Sequence, residues 1–599
     1  MNANYPYPYT PPPAPPKRRN RLIIILVVGL VLFLCCCVVA AAVIVIADPF
    51  NLHIKDRLFG GTFDAAAEAM PEDTGVYIGV NLLGATPDQL DRVIRPFADA
   101  LEMDQKNWDE LIQEVDRYLG EQMDVTLTDD VMPWIGQYLG ISVFDIQLDN
   151  SENPASLIIA IESRNNNAAD EFLRKLRDSI ENSSQEIVHE SEYQGVTIYV
   201  HQPETGTGVA FCRSGSLVLF SLEENDLHTA IDAQKGRSMV DNNRYRDMIK
   251  KVPGKRIATF YLTSQVGENL IKELQGRVGG VYDQLNEGLV GTTGLLQTEL
   301  TQINLDTWDA MIYSISITDA GLQLDNLTSY NLDKMSAAQR ESLKSAGISS
   351  KTVDMFPEDT LGFITSQRLD LTYDTAIQTI RDVSQDASDS VDNALQSVSE
   401  ATNIDLEQDL FHRLDGEFAI GIFPSSQGFL AQQGNVNLGF AFLAESSDTG
   451  ALANTMDMFA SKIEEEGAGF DRFESGDLTL YEFLLQPGGD ILFAGGIGQK
   501  YMAIASSSQT IDDLFAGKTP LSKSSRYRDA IDPLPNGVKP VLYLDVEGII
   551  GIIRESLSGN SLESFDQGIK VLDPIPYVVA GYSELKGSLM RITLIIHVR

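Results

Sequence analysis

The chain is poor in the residues that cross-link or catalyse. It has four cysteines in 599 residues, and Cys35, Cys36 and Cys37 stand together inside an uncharged run. Cys212 is the only thiol beyond that run, so no disulfide frame can be drawn. Its surroundings in the sequence carry no nucleophile signature. The six histidines, His53, His189, His201, His228, His412 and His597, form no His-Glu-x-x-His or other close metal pair. His189 and His201 could approach across a hairpin near Gly195, but the matching hairpin near Gly476 has no histidine. There is no Asp-x-Asp-x-Asp-Gly calcium loop and no Gly-x-Ser-x-Gly elbow. Gly517, Lys518 and Thr519 suggest a phosphate loop, yet Asp512 stands where its first glycine is required. "AGGIGQK" (Ala494 to Lys500) reads as a hairpin turn. We therefore assign no catalytic, cofactor-binding or metal-ligating residue and expect neither a cofactor nor enzymatic turnover.

Cations are scarce as well. Against 85 Asp+Glu there are 45 Lys+Arg, a net charge of −40. A chain so acidic is not built for nucleic acid, whose binding needs clustered cations. The charge keeps the surface solvated, and it attracts cationic partners.

What the sequence does contain begins at its N-terminus. Residues 1–21 are rich in proline and tyrosine and bury no core, so they are expected to be a disordered cytoplasmic tail, serving as a spacer or docking into an aromatic groove. Leu22 to Ala47 is 26 residues without charge, long enough to cross a ~30 Å hydrocarbon layer. Lys17, Arg18, Arg19 and Arg21 precede it and Asp48 follows, which places the tail inside and the remainder outside the plasma membrane. Its length favours an uncleaved anchor over a signal peptide.

After a linker (48–64) the chain repeats itself. "MPEDTGVYIGV" at Met70 matches "FPEDTLGFITS" at Phe356. "LIIAIES" (Leu157 to Ser163) matches "GFAFLAES" (Gly439 to Ser446), and both read as strands. Each precedes a helical pattern: Phe172, Leu176 and Ile180 in one, Leu452, Met456, Phe459 and Ile463 in the other. "RYRD" occurs at Arg244 and again at Arg526, with Pro253 and Pro535 following at the same distance. Asn242 or Asn243, and Ser524 or Ser525, would cap short helices whose apolar faces hold Tyr245 and Tyr527. The expected fold is α+β: a single N-terminal transmembrane helix, then two tandem copies of a mainly antiparallel sheet-plus-helix domain, at 65–345 and 346–599.

Three stretches carry a resemblance to a known family: "AMPEDTGVYIGVNL", "DDVMPWIGQYLGISV" (Asp130 to Val143) and the Arg-Tyr-Arg-Asp segment. With them the chain resembles a bacterial membrane-anchored family known as domain of unknown function 3352. The second half departs from the Pro-Trp element, having "DLFHRLDGEFAIGI". The resemblance implies an envelope protein and brings no catalytic residues. The expected role is binding or organisation at the cell envelope, with cationic or envelope proteins as partners. The alternatives are an envelope enzyme with a site between the repeats, and a carrier for an apolar ligand.

Overall fold

The computed structural model describes residues 64–267 and 307–599, apart from 124, 146–154, 185, 204–207, 347, 384, 435, 466–468, 485–488 and 490. The first ten strands are β1 (Val76–Asn81), β2 (Ile135–Phe144), β3 (Ser156–Ser163), β4 (His189–Tyr193), β5 (Val196–His201), β6 (Val209–Ser214), β7 (Leu217–Ser221), β8 (Ala258–Thr263), β9 (Trp308–Ile317) and β10 (Gly321–Tyr330). The next ten are β11 (Gly362–Gln367), β12 (Glu417–Pro424), β13 (Leu438–Glu445), β14 (Gly469–Ser475), β15 (Leu478–Leu484), β16 (Ile491–Gly498), β17 (Tyr501–Ala505), β18 (Val538–Asp545), β19 (Tyr577–Ser583) and β20 (Leu589–His597).

These strands correct the expected fold class on two points. They do not form a separate sheet for each of two tandem domains. All belong to one 20-stranded sheet, paired antiparallel throughout. Nor is a transmembrane helix part of the described fold: among the described residues no helix is long and apolar enough to cross a membrane. Leu22–Ala47, the tail and most of the linker lie outside the described residues.

From one edge the order is β4-β5-β6-β7-β3-β2-β1-β8-β9-β10. It continues through β20-β19-β18-β11-β12-β13-β17-β16-β15-β14. The second series is the first read backwards, so a pseudo-two-fold axis passes through the β10–β20 seam. Pairing those two strands removes two open edges that would otherwise expose unpaired backbone groups.

The strands bury both faces because their side chains alternate. Ile158 and Ala160 of β3 enter one core, Leu157, Ile159 and Ile161 the other. The first core is covered by the turn Ala65–Ala69 and the helices Glu224–Lys235 and Asn243–Ile249; the opposite core is covered by Pro87–Ala100, Trp108–Met123 and Asn166–Ser184. The second half repeats this layering, with Ser508–Phe515 and Ser525–Ile531 on one face and Leu369–Val383 and Thr449–Glu465 on the other.

Local sequence sets the element ends. Thr86 and Gln89 form a reciprocal capping box, and Pro87 opens that helix. Gly195 at φ 81° and Gly476 at φ 59° turn the β4–β5 and β14–β15 hairpins. The glycine-rich stretch beginning at Ala494 differs from its sequence reading. It lies mostly within β16, and the turn falls at Gln499 and Lys500. A Cβ on Gly496 would come 2.8 Å from Ile511, so this glycine lets the helix Ser508–Phe515 lie close on the strand.

Candidate binding site

The two sequence landmarks that mark the repeat meet in space. In "PEDT", both the amide and the hydroxyl of Thr74 donate to the Pro71 carbonyl, at 3.1 and 2.8 Å. Thr360 does the same to Pro357, at 3.1 and 2.7 Å. Each turn is thus closed twice, with Glu72 and Asp73, or Glu358 and Asp359, at its tip. An isolated bridge ties Pro71 to Ser238 and another ties Pro357 to Pro520, both just before an Arg-Tyr-Arg-Asp helix.

That helix is capped in the first half by Asn242, whose side-chain oxygen accepts from the amides of Arg244 and Tyr245. The Asn242 side-chain nitrogen donates to the Glu72 carbonyl at 3.1 Å, fastening the cap to the acidic turn. Ser524 takes the same place in the second half without a side-chain cap bond.

A cleft opens beside each turn. The first, of 680 Å³, is lined by Glu72, Asp73, Thr229, Asp232 and Arg237. The second, of 520 Å³, is lined by Glu358, Asp359, Thr510, Asp513 and Lys518. Each contains three carboxylates and one cation. Arg237 pairs with Glu72, and Lys518 lies 2.7 Å from Asp513. Asp232 accepts from Tyr193 at 3.0 Å. The carboxylates of Asp73, Glu358 and Asp359 are exposed and make no hydrogen bond or ion pair among the described residues. Both clefts lie over the same face of the sheet, because Leu327 of the first half's core and Ile595 of the second's both lie on the Asp325 side of the seam.

Beneath the first cleft is a buried polar node. Asp64 accepts from the Tyr77 hydroxyl at 2.6 Å. Tyr77, Tyr245 and Tyr261 meet edge to face, at 6.1 and 5.3 Å. Burial raises the Asp64 carboxyl from 3.8 to about 6, against the opposing pull of Tyr77 and Arg256. Burial likewise raises the hydroxyls of Tyr77 and Tyr245 well above 10. The second half keeps the edge-to-face pair as Tyr527–Tyr543, at 5.2 Å, but takes its buried carboxylate from β12, whereas Asp64 caps the turn Ala65–Ala69. There Glu417 accepts from the hydroxyls of Thr352 and Thr365 and the amides of Lys351 and Thr352. The carboxylates of Asp64 and Glu417 are buried and line neither of the two clefts. Their work is to hold the turn and the short helix on the sheet.

The histidines singled out in the sequence are dispersed. His189 pairs with Val200, the neighbour of His201, so the two rings point to opposite faces of the hairpin, and neither belongs to a group of metal-ligand residues among the described residues. His597 donates from Nε2 to the Ala530 carbonyl at 2.8 Å, and burial lowers its pKa. Cys212 is buried and its thiol is pushed up to about 12. A grouping that sequence spacing concealed is Asp374, Glu407 and His412, brought together on the opposite face of the sheet. Glu407 and His412 are near neighbours in the chain, but Asp374 comes from the separate helix Leu369–Val383, so no ligand motif registers.

No curated protein sequence matches the chain. Two crystal forms of TP0453 are similar to part of it. Form I has 9% identity and a TM-score of 0.24 over 47% of this chain and 84% of that one. Form IV has 8% identity and a TM-score of 0.23 over 45% and 81%. The family described as "Protein of unknown function (DUF3352)" matches residues 26–576, and the chain belongs to that family.

Proposed function

We propose that this protein is a non-enzymatic binding protein whose two acidic clefts dock a basic partner protein at the cell envelope. The observation that carries the reading is the matched chemistry of the clefts. Both halves present three carboxylates and one cation beside the same doubly closed turn, although the buried carboxylate below has been rebuilt. Exposed carboxylates without partners at a turn tip are available to lysine or arginine side chains. Two such sites on one face allow a partner with two basic segments to engage both, which raises avidity without new contacts.

Turnover is not part of the proposal. The two carboxyls raised by burial, Asp64 and Asp545, are sealed in the core and line neither cleft. The test is to immobilise the full chain and follow binding of a hexalysine peptide as sodium chloride is raised. Association should slow with salt, and a hexaglutamate peptide should not bind. Salt-independent association, or turnover of a substrate at a rate abolished by Asp232→Asn or Asp513→Asn, would overturn the reading.

A further inference from the structure

We propose that Asp374, Glu407 and His412 form a binding site for a divalent first-row transition-metal ion, in the second half only and on the sheet face opposite the clefts. Asp374 projects from the helix Leu369–Val383. Glu407 belongs to a π-helical turn, Leu406–Leu410, and His412 to the 3-10 turn Phe411–Arg413 that follows. One ligand atom from each residue lies within 4.8 Å of the other two. His412 Nε2 stands 2.8 Å from Asp374 Oδ1. The Tyr373 ring stacks on Phe411 at 4.1 Å and meets the His412 ring edge-on at 6.5 Å. This stacking ties the turn to the helix, so Asp374 and His412 are positioned together.

Three observations point to a cation. The first is charge. Two carboxylates converge beside one imidazole, and no lysine or arginine pairs with either among the described residues. The nearby arginines are engaged elsewhere: Arg381 with Asp392, Arg413 with Asp409 and Asp448. Carboxylates at this separation repel, the His412 ring faces only Asp374 by hydrogen bond, and a cation between the three would relieve that repulsion.

The second is the state of Glu407. Its half-buried carboxylate makes no hydrogen bond or ion pair among the described residues. Its acidic neighbours are used structurally: Asp405 accepts from the amides of Glu407 and Gln408, and Asp409 accepts from the amide of Asp405.

The third is a comparison inside the molecule. The first half has the same π-helical turn, Leu127–Val131. Thr128 stands there in the place of Glu407, and Pro133 in the place of His412. The turn therefore forms without the donor residues, and their presence in the second half needs another reason. Departures from α-helical geometry of this kind recur at functional sites.

One imidazole nitrogen with two carboxylate oxygens suits zinc, manganese or ferrous iron better than calcium or magnesium. Zinc holds such donors at roughly 2.0–2.2 Å, and three protein ligands leave a position for water. Rotation of the partner-free Glu407 side chain closes the remaining distance.

The test uses the full-length protein, stripped with chelator and titrated with zinc chloride by calorimetry, with thermal unfolding followed in parallel. The expected result is saturable zinc binding that raises Tm, is weakened at least tenfold by Glu407→Gln, and is lost in His412→Ala. His228→Ala should leave it unchanged. Glu407→Gln removes no protein contact, so it remains informative if His412→Ala unfolds. Absence of saturable binding, binding unaffected by both substitutions, or displacement of zinc by a hundredfold excess of magnesium would overturn the proposal.

Discussion

Asp325 and Thr593 face each other at the centre of the sheet and occupy the same place in its two halves. Tyr261 pairs with Ile312 and Tyr543 with Val579, which makes Ile312 and Val579 counterparts. Their next neighbours, Leu327 and Ile595, are counterparts in turn. Two residues back along each strand stand Asp325 and Thr593, and these two pair across the seam. The Asp325 carboxylate is buried. It accepts from Thr593 at 2.6 Å, from Gln323 at 2.8 Å and from Arg591 at 2.8 Å. A one-residue slip would carry this carboxylate away from its donors, so the polar cluster specifies the register by which the halves join.

Breaking this cluster one-sidedly should be costly. Asp325→Ala leaves Arg591 without its buried partner and is expected to cost roughly 3–5 kcal/mol. The pair Asp325→Leu with Arg591→Met should cost clearly less than the sum of its single changes. Urea unfolding of the four proteins measures this, and additive losses would show that the two residues do not act together.

Tyr245 gives a sharper test of its own packing. The ring is 2% exposed, and its hydroxyl is buried without a hydrogen-bond partner among the described residues. Tyr245→Ala should cost roughly 3–5 kcal/mol, whereas Tyr245→Phe should be neutral or stabilise by about 1 kcal/mol, since it removes an unsatisfied group. A large loss in the Phe variant, read from the unfolding midpoint, would assign the hydroxyl a partner.

Asp64 should impose a pH dependence of definite sign. Its carboxyl is raised to about 6 in the folded chain, chiefly by burial. The folded state therefore keeps its proton over a range in which the unfolded chain has lost it. Stability from this group is complete below the unfolded value near 4 and is lost as pH rises through about 6, on the order of 3 kcal/mol in all. Relative to the wild type, Asp64→Asn should be more stable at pH 7.5 than at pH 4.5 by about 2 kcal/mol. A difference independent of pH would contradict the burial argument.

Cys212 should be inert. In a chain carrying Cys35→Ala, Cys36→Ala and Cys37→Ala, a thiol reagent should label nothing in the native state and one thiol after denaturation. Rapid native labelling would show that the β6 region opens readily.

Much of the local structure was legible because it depends on short-range periodicity. The apolar runs at Leu157 and Gly439 are β3 and β13, and the turns at Gly195 and Gly476 are hairpins. Tyr245 and Tyr527 are buried, as the spacing of their apolar faces required. The joining of β10 to β20 was not legible, since alternation along a strand does not say which edge it meets. It hides a carboxylate in the core, where composition would place it on the surface. The clefts were half legible. Both motifs that build them stood out, but as markers of repetition, and only the fold sets Glu72 beside Arg237 and Asp513 beside Lys518. Asp374, Glu407 and His412 could not be joined by any spacing rule, because a helix and two turns bring them together.

The central claim, that paired acidic clefts do the binding, is tested most directly by stoichiometry. Calorimetry with a hexalysine peptide should give two sites on the wild-type chain. One should remain in Glu72→Gln/Asp73→Asn/Asp232→Asn, one in Glu358→Gln/Asp359→Asn/Asp513→Asn, and none when all six changes are combined. Three neutralising changes at acidic positions remote from both clefts, Asp104→Asn, Asp471→Asn and Glu563→Gln, should leave two sites. If the peptide binds every variant alike, its attraction belongs to the overall negative charge, and the clefts are not the binding sites.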